Sequence, residues 1–170
     1  NLSKLFRSLD PFSGKRRGKP KTFAIESVIE RCLTLFGDAI ADAGIDVKYA
    51  PLEQKTSVIG YESDLMAAIL NILDNSIHWL SVSTIRPKNL TIDVQPLKKL
   101  VRISIANNGP LIDEKFHGRL FSPGFTLKAE GSGIGLAIAR EARERPEVLQ
   151  SAPTRTPGSR SARVSATAPA

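Results

Sequence analysis

The chain is short of sulfur and of histidine. Its 170 residues include one cysteine, Cys32, and two histidines, His78 and His117. A single cysteine excludes an internal disulfide framework and any multi-cysteine metal site. No side chain stands out as a nucleophile or triad member, so hydrolase chemistry of the Ser/His kind is not indicated. No apolar run approaches the roughly 18 to 20 residues of a spanning helix, so no membrane segment is expected. The start, Asn1-Leu2-Ser3-Lys4, lacks the charged and then apolar pattern of a signal peptide. The expected setting is cytoplasmic, with a membrane-anchored parent left open.

What is present suits one ordinary domain. Hydrophobic residues make up 41% of the chain, enough to build a core. The formal charge of +7 and a pI near 9.8 invite a nucleic-acid reading. The excess, however, sits at the ends. Residues 1–30 hold seven basic side chains against three acidic, and residues 140–170 hold six Arg against three Glu. The middle is balanced, which is unlike a basic patch on a folded surface, and no nucleic-acid partner is expected.

Residues 1–9 read as the end of a helix stopped at Asp10-Pro11, followed by a basic linker over 14–21. Ile25, Val28, Ile29, Cys32, Leu33, Phe36 and Ile40 predict one buried helix face over 25–43, with Gly44 as its stop. Strands are expected at 45–50, 56–60, 90–96 and 100–106, the last two as a hairpin. A second helix spans about 62–80. A Gly- and Pro-rich loop over 107–133 is long enough to be a lid or binding segment. A third helix starts near Gly133–Gly135. The order predicts an α+β fold: a two-layer sandwich with helices on one face of a mixed, mostly antiparallel sheet. From Pro146 the pattern collapses into Pro, Arg, Ser and Ala, so 146–170 reads as a disordered or non-native tail. The expected division is 1–21, 22–145 and 146–170.

Three clusters carry chemistry. Asn71, Asn75 and His78 are spaced by four and three, so they share a helix face; Trp79 follows. Asn107-Asn108-Gly109-Pro110 comes directly after a strand and, taken alone, is a turn. Gly131-Ser132-Gly133-Ile134-Gly135-Leu136 leads into a helix. Alternating glycines there let the backbone approach a ligand, and free N–H groups at the helix start suit phosphate. No strand immediately precedes these glycines, and the P-loop lysine and Ser/Thr are missing, so neither common dinucleotide nor P-loop fingerprint applies.

In this order the clusters resemble the catalytic ATP-binding domain of sensor histidine kinases, in the GHKL superfamily with its Bergerat-type fold. ILNILDNSIHWL resembles the N box, IANNGPLI the first glycine box, LFSPGFTLK the F box and GSGIGLAIA the second glycine box. The resemblance covers about residues 20–145. It implies that ATP and Mg²⁺ bind here and that the γ-phosphate goes to a histidine on a separate dimerisation domain. It also implies a response regulator as partner. Asn75 would hold Mg²⁺ through its amide oxygen, with Asn71 supporting metal or phosphates. His78 would hydrogen-bond phosphate. Trp79 would either flank the nucleotide or anchor the core. Lys128 would reach the phosphates or remain an exposed lid lysine. Gly131, Gly133 and Gly135 would wrap the triphosphate, and Leu136 and Ile138 would pack the helix that follows.

Two departures stand out. The first glycine box has Asn107 where the family has an adenine-reading Asp, at a cost of roughly 1–2 kcal/mol in charge assistance. After Gly109, its last glycine is replaced by Leu111, whose side chain is expected to crowd the base or alter the lid. A degenerate, regulatory pseudokinase with weak or no nucleotide binding is therefore the alternative. Neither histidine sits in an acceptor context, so the acceptor module is expected elsewhere in a longer parent. The two closing strands of the family are expected to be missing, through a frameshift or truncation near 143–147 or a divergent genuine end.

Overall fold

The computed structural model describes residues 19–52, 56–97, 100–128, 131, 133–137, 139, 149–151 and 161–167. The expected helical turn at 1–9 and most of the basic linker lie outside these residues.

The first helical face forms as its apolar spacing predicts, but in two pieces. Helix α1 (Ile25–Leu35) buries Ile25, Val28, Ile29 and Cys32, and α2 (Gly37–Asp42) follows. The break falls at Phe36, whose ring is buried and whose N–H bonds back to Leu33 O and Thr34 O. Gly37, a poor helix former, comes next. Gly44 ends the segment at φ +62°, the left-handed position that glycine tolerates.

Helix α3 (Glu62–Val82) is the centre of the core. Glu62 and Asp64 lie in its first turn, where they complement the helix dipole. Leu65, Ile69, Leu73 and Leu80 are almost wholly buried on its sheet side. By length and mean hydropathy (1.2) this helix could cross a membrane; the expectation that nothing approaches that length is corrected to this extent. Its buried stripe belongs to the same cluster as α1, β4 (Lys88–Pro96) and β5 (Leu100–Asn107), as a core helix requires.

Among the described residues the sheet holds seven strands. To β4 and β5 are added β1 (Lys21–Ala24), β2 (Ile45–Tyr49), β3 (Ser57–Gly60), β6 (Leu149–Ser151) and β7 (Ser161–Thr167). Their order is β1-β3-β6-β7-β5-β4-β2. Pairing is antiparallel except for β2 with β4 and β5 with β7. The mixed, mostly antiparallel two-layer sandwich is thus as expected, including the β4–β5 hairpin.

Two strand expectations are corrected. β1 begins inside the stretch read as linker and pairs Lys21 with Gly60 through Ala24 with Ser57. The closing strands expected to be missing are present: β7 lies parallel to β5 from Leu100↔Ser161 to Ala106↔Thr167, and β6 joins it to β3. Residues 149–151 and 161–167 are therefore sheet, while the other positions of the expected tail lie outside the described residues. The misreading has a physical cause: SARVSAT has little apolar bulk, and such strands are held by pairing to remote partners more than by local signal.

Local hydrogen bonds join the layers. Glu26, 1% exposed, accepts the Thr56 N–H on both carboxylate oxygens at 3.0 and 2.9 Å, and the Ile25 N–H donates to Thr56 O at 3.0 Å. Arg31 of α1 pairs with Glu62 of α3 at the surface.

Candidate functional site

The 3.6-residue period of α3 separates two faces. One buries apolar side chains against the sheet; the other carries Asn71, Asp74, Asn75, His78 and Trp79, all half-buried. Three loop segments meet this polar side: the turn after β5, the segment ending at Lys128, and the glycines beyond it.

At the first of these, Asn107 ends β5 and reaches the helix. Its Nδ2 donates to Ser76 Oγ at 3.3 Å, and its Oδ1 accepts from the Gly109 N–H at 2.9 Å. Gly109 passes so close that an added Cβ would lie 2.8 Å from Asn107 Oδ1 and 3.8 Å from the Trp79 backbone. Asn108 points the other way and secures the turn. It accepts from the Asn89 N–H at 2.7 Å and donates to Pro87 O at 2.8 Å. Leu111 is 67% exposed.

The expected lid contains structure of its own. A short 3₁₀ helix, Glu114–Arg119, is capped by Asp113, which accepts from the Lys115 N–H at 3.0 Å. The ion pair and hydrogen bonds from Lys115 hold the Asp113 carboxyl below its usual range. His117 Nε2 donates to Ile112 O at 2.9 Å. Phe116 and Phe125 pack with ring centroids 5.7 Å apart, and the Arg119 guanidinium lies over Phe125.

The glycines then fold onto the lid and the helix. Gly124 (φ +81°) donates its N–H to Gly133 O at 3.0 Å, and Gly133 itself is at φ +68°. A Cβ on Gly133 would come within 2.6 Å of Gly124 O. Gly131 packs against Thr126 and Lys128 and donates its N–H to Lys128 O at 3.2 Å. A Cβ on Gly135 would lie 2.6 Å from Asn71 Oδ1. Helix begins at Gly135 and Leu136, which is half-buried. Ile138 lies outside the described residues, whereas Ala139 joins the core.

Lys128 turns inward. Its Nζ lies 2.8 Å from Asp74 Oδ2 and its side chain is 20% exposed. His78 packs edge-on to Trp79, centroids 5.1 Å apart. Its pKa is lowered from 6.5, first by desolvation and then by Lys128, with Asp74 opposing. The imidazole is therefore neutral at pH 7.

The structure thus brings together Asn71 with Gly135, Asn107 with Gly109, and Lys128 with the α3 face of Asn75 and His78. Sequence reasoning missed Asp74, Ser76, Gly124 and Thr126. Ser76 left one signal, a small polar residue on the buried face. The Asp74–Lys128 pair left none, since 54 positions separate them.

The donor set suits a metal-bound polyphosphate. Asn71 Nδ2 is committed to Ala67 O at 2.8 Å, which leaves its Oδ1 as the free acceptor toward Gly135. The Asn75 carboxamide makes no hydrogen bond among the described residues. Two neutral amide oxygens on one helix face are hard donors appropriate to Mg²⁺, which keeps waters and phosphate oxygens for its remaining positions.

Comparisons with known proteins point the same way. Residues 60–169 match the family described as histidine kinase-, DNA gyrase B-, and HSP90-like ATPase. The chain is 30% identical over 141 residues to the signal transduction histidine-protein kinase AtoS of Escherichia coli (strain K12), covering 82% of this chain and 22% of that protein. It is 26% identical over 141 residues to the two-component sensor PprA of Pseudomonas aeruginosa, covering 81% of this chain and 15% of that one. It therefore spans about a fifth or less of these relatives. The solved catalytic domain of histidine kinase ThkA superposes with a TM-score of 0.65 at 25% identity, covering 84% of this chain and 91% of that one.

Proposed function

Because the chain belongs to the histidine kinase-, DNA gyrase B- and HSP90-like ATPase family, we propose that it is the ATP·Mg²⁺-binding catalytic domain of a two-component sensor histidine kinase. The observation that carries this reading is the closure of the glycine segment on α3, with Gly135 against Asn71 and Gly133 against the lid at Gly124.

The residues divide the work along the helix. Backbone N–H groups of Gly133 and Gly135 receive the phosphates, because only glycine allows so close an approach, and that of Gly131 joins them once it leaves Lys128 O. Asn75, with Asn71 beside it, would hold Mg²⁺ through amide oxygen, and the bound ion would supply neutralisation of phosphate charge. Neutral His78 donates a hydrogen bond to phosphate. Lys128 exchanges Asp74 for phosphate oxygen as the lid settles. Asn107 reads the base, and Trp79 borders it.

No side chain in this arrangement attacks phosphorus. His78 is packed on Trp79 and His117 is tied to Ile112 O. The resemblance implies that the accepting imidazole lies on a separate histidine-bearing dimerisation domain, and catalysis here is positioning and charge neutralisation. The family resemblance implies a response regulator as the downstream partner and a domain that works on the cytoplasmic side.

Calorimetry with a non-hydrolysable ATP analogue tests the reading. Saturable heat that requires Mg²⁺ and is lost in Asn75→Ala is expected. Absence of heat in the unmutated chain, with folding intact by circular dichroism, overturns it and favours a nucleotide-independent regulatory module.

A further inference from the structure

The stretch of α3 from Asn71 to Trp79 carries one carboxylate among neutral side chains. Asp74 follows Asn71 by three residues and precedes His78 by four, so it shares their face and adjoins Asn75. A carboxylate among groups that receive phosphate works against binding.

In the empty site this carboxylate is matched by Lys128. The lysine Nζ lies 2.8 Å from Asp74 Oδ2 and 3.5 Å from the Asp74 carbonyl oxygen. Two of the three ammonium hydrogens are thus directed at one residue. The lysine side chain is drawn in to 20% exposure, while that of Asp74 keeps 46%. Among the described residues this is the one ion pair between α3 and the lid.

The backbone of Lys128 is braced in the same position. Its N–H donates to Thr126 Oγ1 at 3.0 Å, and its carbonyl accepts the Gly131 N–H at 3.2 Å. Lys128 therefore occupies two groups that a polyphosphate would use: its own ammonium, held by Asp74, and the Gly131 N–H, held by its carbonyl. A contact present in the empty site and given up on binding lowers the apparent affinity, because only the released fraction is competent. We infer that Asp74 is an internal counter-ion that competes with nucleotide phosphate for Lys128, an autoinhibitory latch that holds the end of the lid on α3 and weakens nucleotide binding. This deepens the nucleotide-binding reading above and rests on it. Its consequence is that removing Asp74, a residue on the face of the site itself, tightens binding.

The test is a double-mutant cycle on the full chain, read by calorimetry with Mg²⁺ and a non-hydrolysable ATP analogue. Asp74→Asn is expected to bind at least about twofold more tightly, as for an ion pair of this exposure. In the Lys128→Met background the same substitution removes only the repulsion between carboxylate and phosphate. Its gain there is expected to be smaller by at least about twofold. Weaker or unchanged binding in folded Asp74→Asn overturns the inference, because Asp74 then positions Lys128 for phosphate or stands apart from binding. A gain of equal size in both backgrounds also overturns it, because the carboxylate then acts on phosphate directly. Either result leaves the nucleotide-binding reading intact. Absence of binding in the unmutated chain and in Asp74→Asn alike overturns both. Thermal denaturation checks that each variant is folded, and Asp74→Ser takes the place of Asp74→Asn where that variant does not fold.

Discussion

Lys128 and Asp74 are joined across the candidate site, Nζ to Oδ2 at 2.8 Å. The contact ties the end of the F-box-like segment to the polar face of α3. His78 feels both charges. Lys128 lowers its pKa and Asp74 raises it, beneath a larger lowering by desolvation.

Opposite substitutions should therefore move His78 in opposite directions. Lys128→Met raises its pKa toward 6.5 and Asp74→Asn lowers it further, as read by an NMR titration of the imidazole. The folded-state value is depressed, so the stability linked to His78 is present above 6.5 and is lost as pH falls through the lower folded value. Equal shifts of one sign in both variants would contradict this placement of the charges.

Gly133→Ala should damage nucleotide binding more than folding. Its φ of +68° costs a non-glycine residue about 1–2 kcal/mol. The added Cβ also meets the Gly124 backbone, which cannot rotate away as a side chain can. The lid and the glycine segment must separate, and affinity for Mg²⁺ and an ATP analogue should fall at least about tenfold, or about 1.4 kcal/mol. Calorimetry beside thermal denaturation separates the two effects.

Glu26→Ala should destabilise the fold without touching the site. It leaves the buried Thr56 N–H without its carboxylate acceptor, at a cost of about 1–3 kcal/mol. Glu26→Gln, which retains one acceptor oxygen, should lose less. Urea denaturation measures both.

Cys32 should be inert in the folded protein. Burial pushes its thiol up to about 12, so little thiolate forms at about pH 8. Labelling by a thiol reagent should follow the opening rate of the core and become rapid in denaturant. Fast stoichiometric labelling of the native protein would contradict the packing of α1.

The face of α3 was legible because its signal is local. Asn71, Asn75 and His78 recur at helical spacing, and Leu65, Ile69 and Leu73 do so on the other side. The second glycine box was legible because few residues other than glycine tolerate the positive φ of Gly133. What escaped depends on distant partners. Nothing near Lys128 announces Asp74. Nothing in the short KTFA or SARVSAT runs announces β1 or β7, which take shape against β3 and β5. Phe36 escaped for another reason: it keeps the apolar period unbroken while the backbone turns at Gly37.

The central claim is that ATP·Mg²⁺ lies between α3 and the glycine segments. Titration of the ¹⁵N-labelled chain with Mg²⁺ and a non-hydrolysable ATP analogue tests it most directly. The account predicts large shifts for the amides of Gly109, Gly131, Gly133 and Gly135 and for the side-chain amides of Asn71, Asn75 and Asn107, with α1 unmoved. Absence of shifts, or shifts concentrated away from these residues, would contradict it.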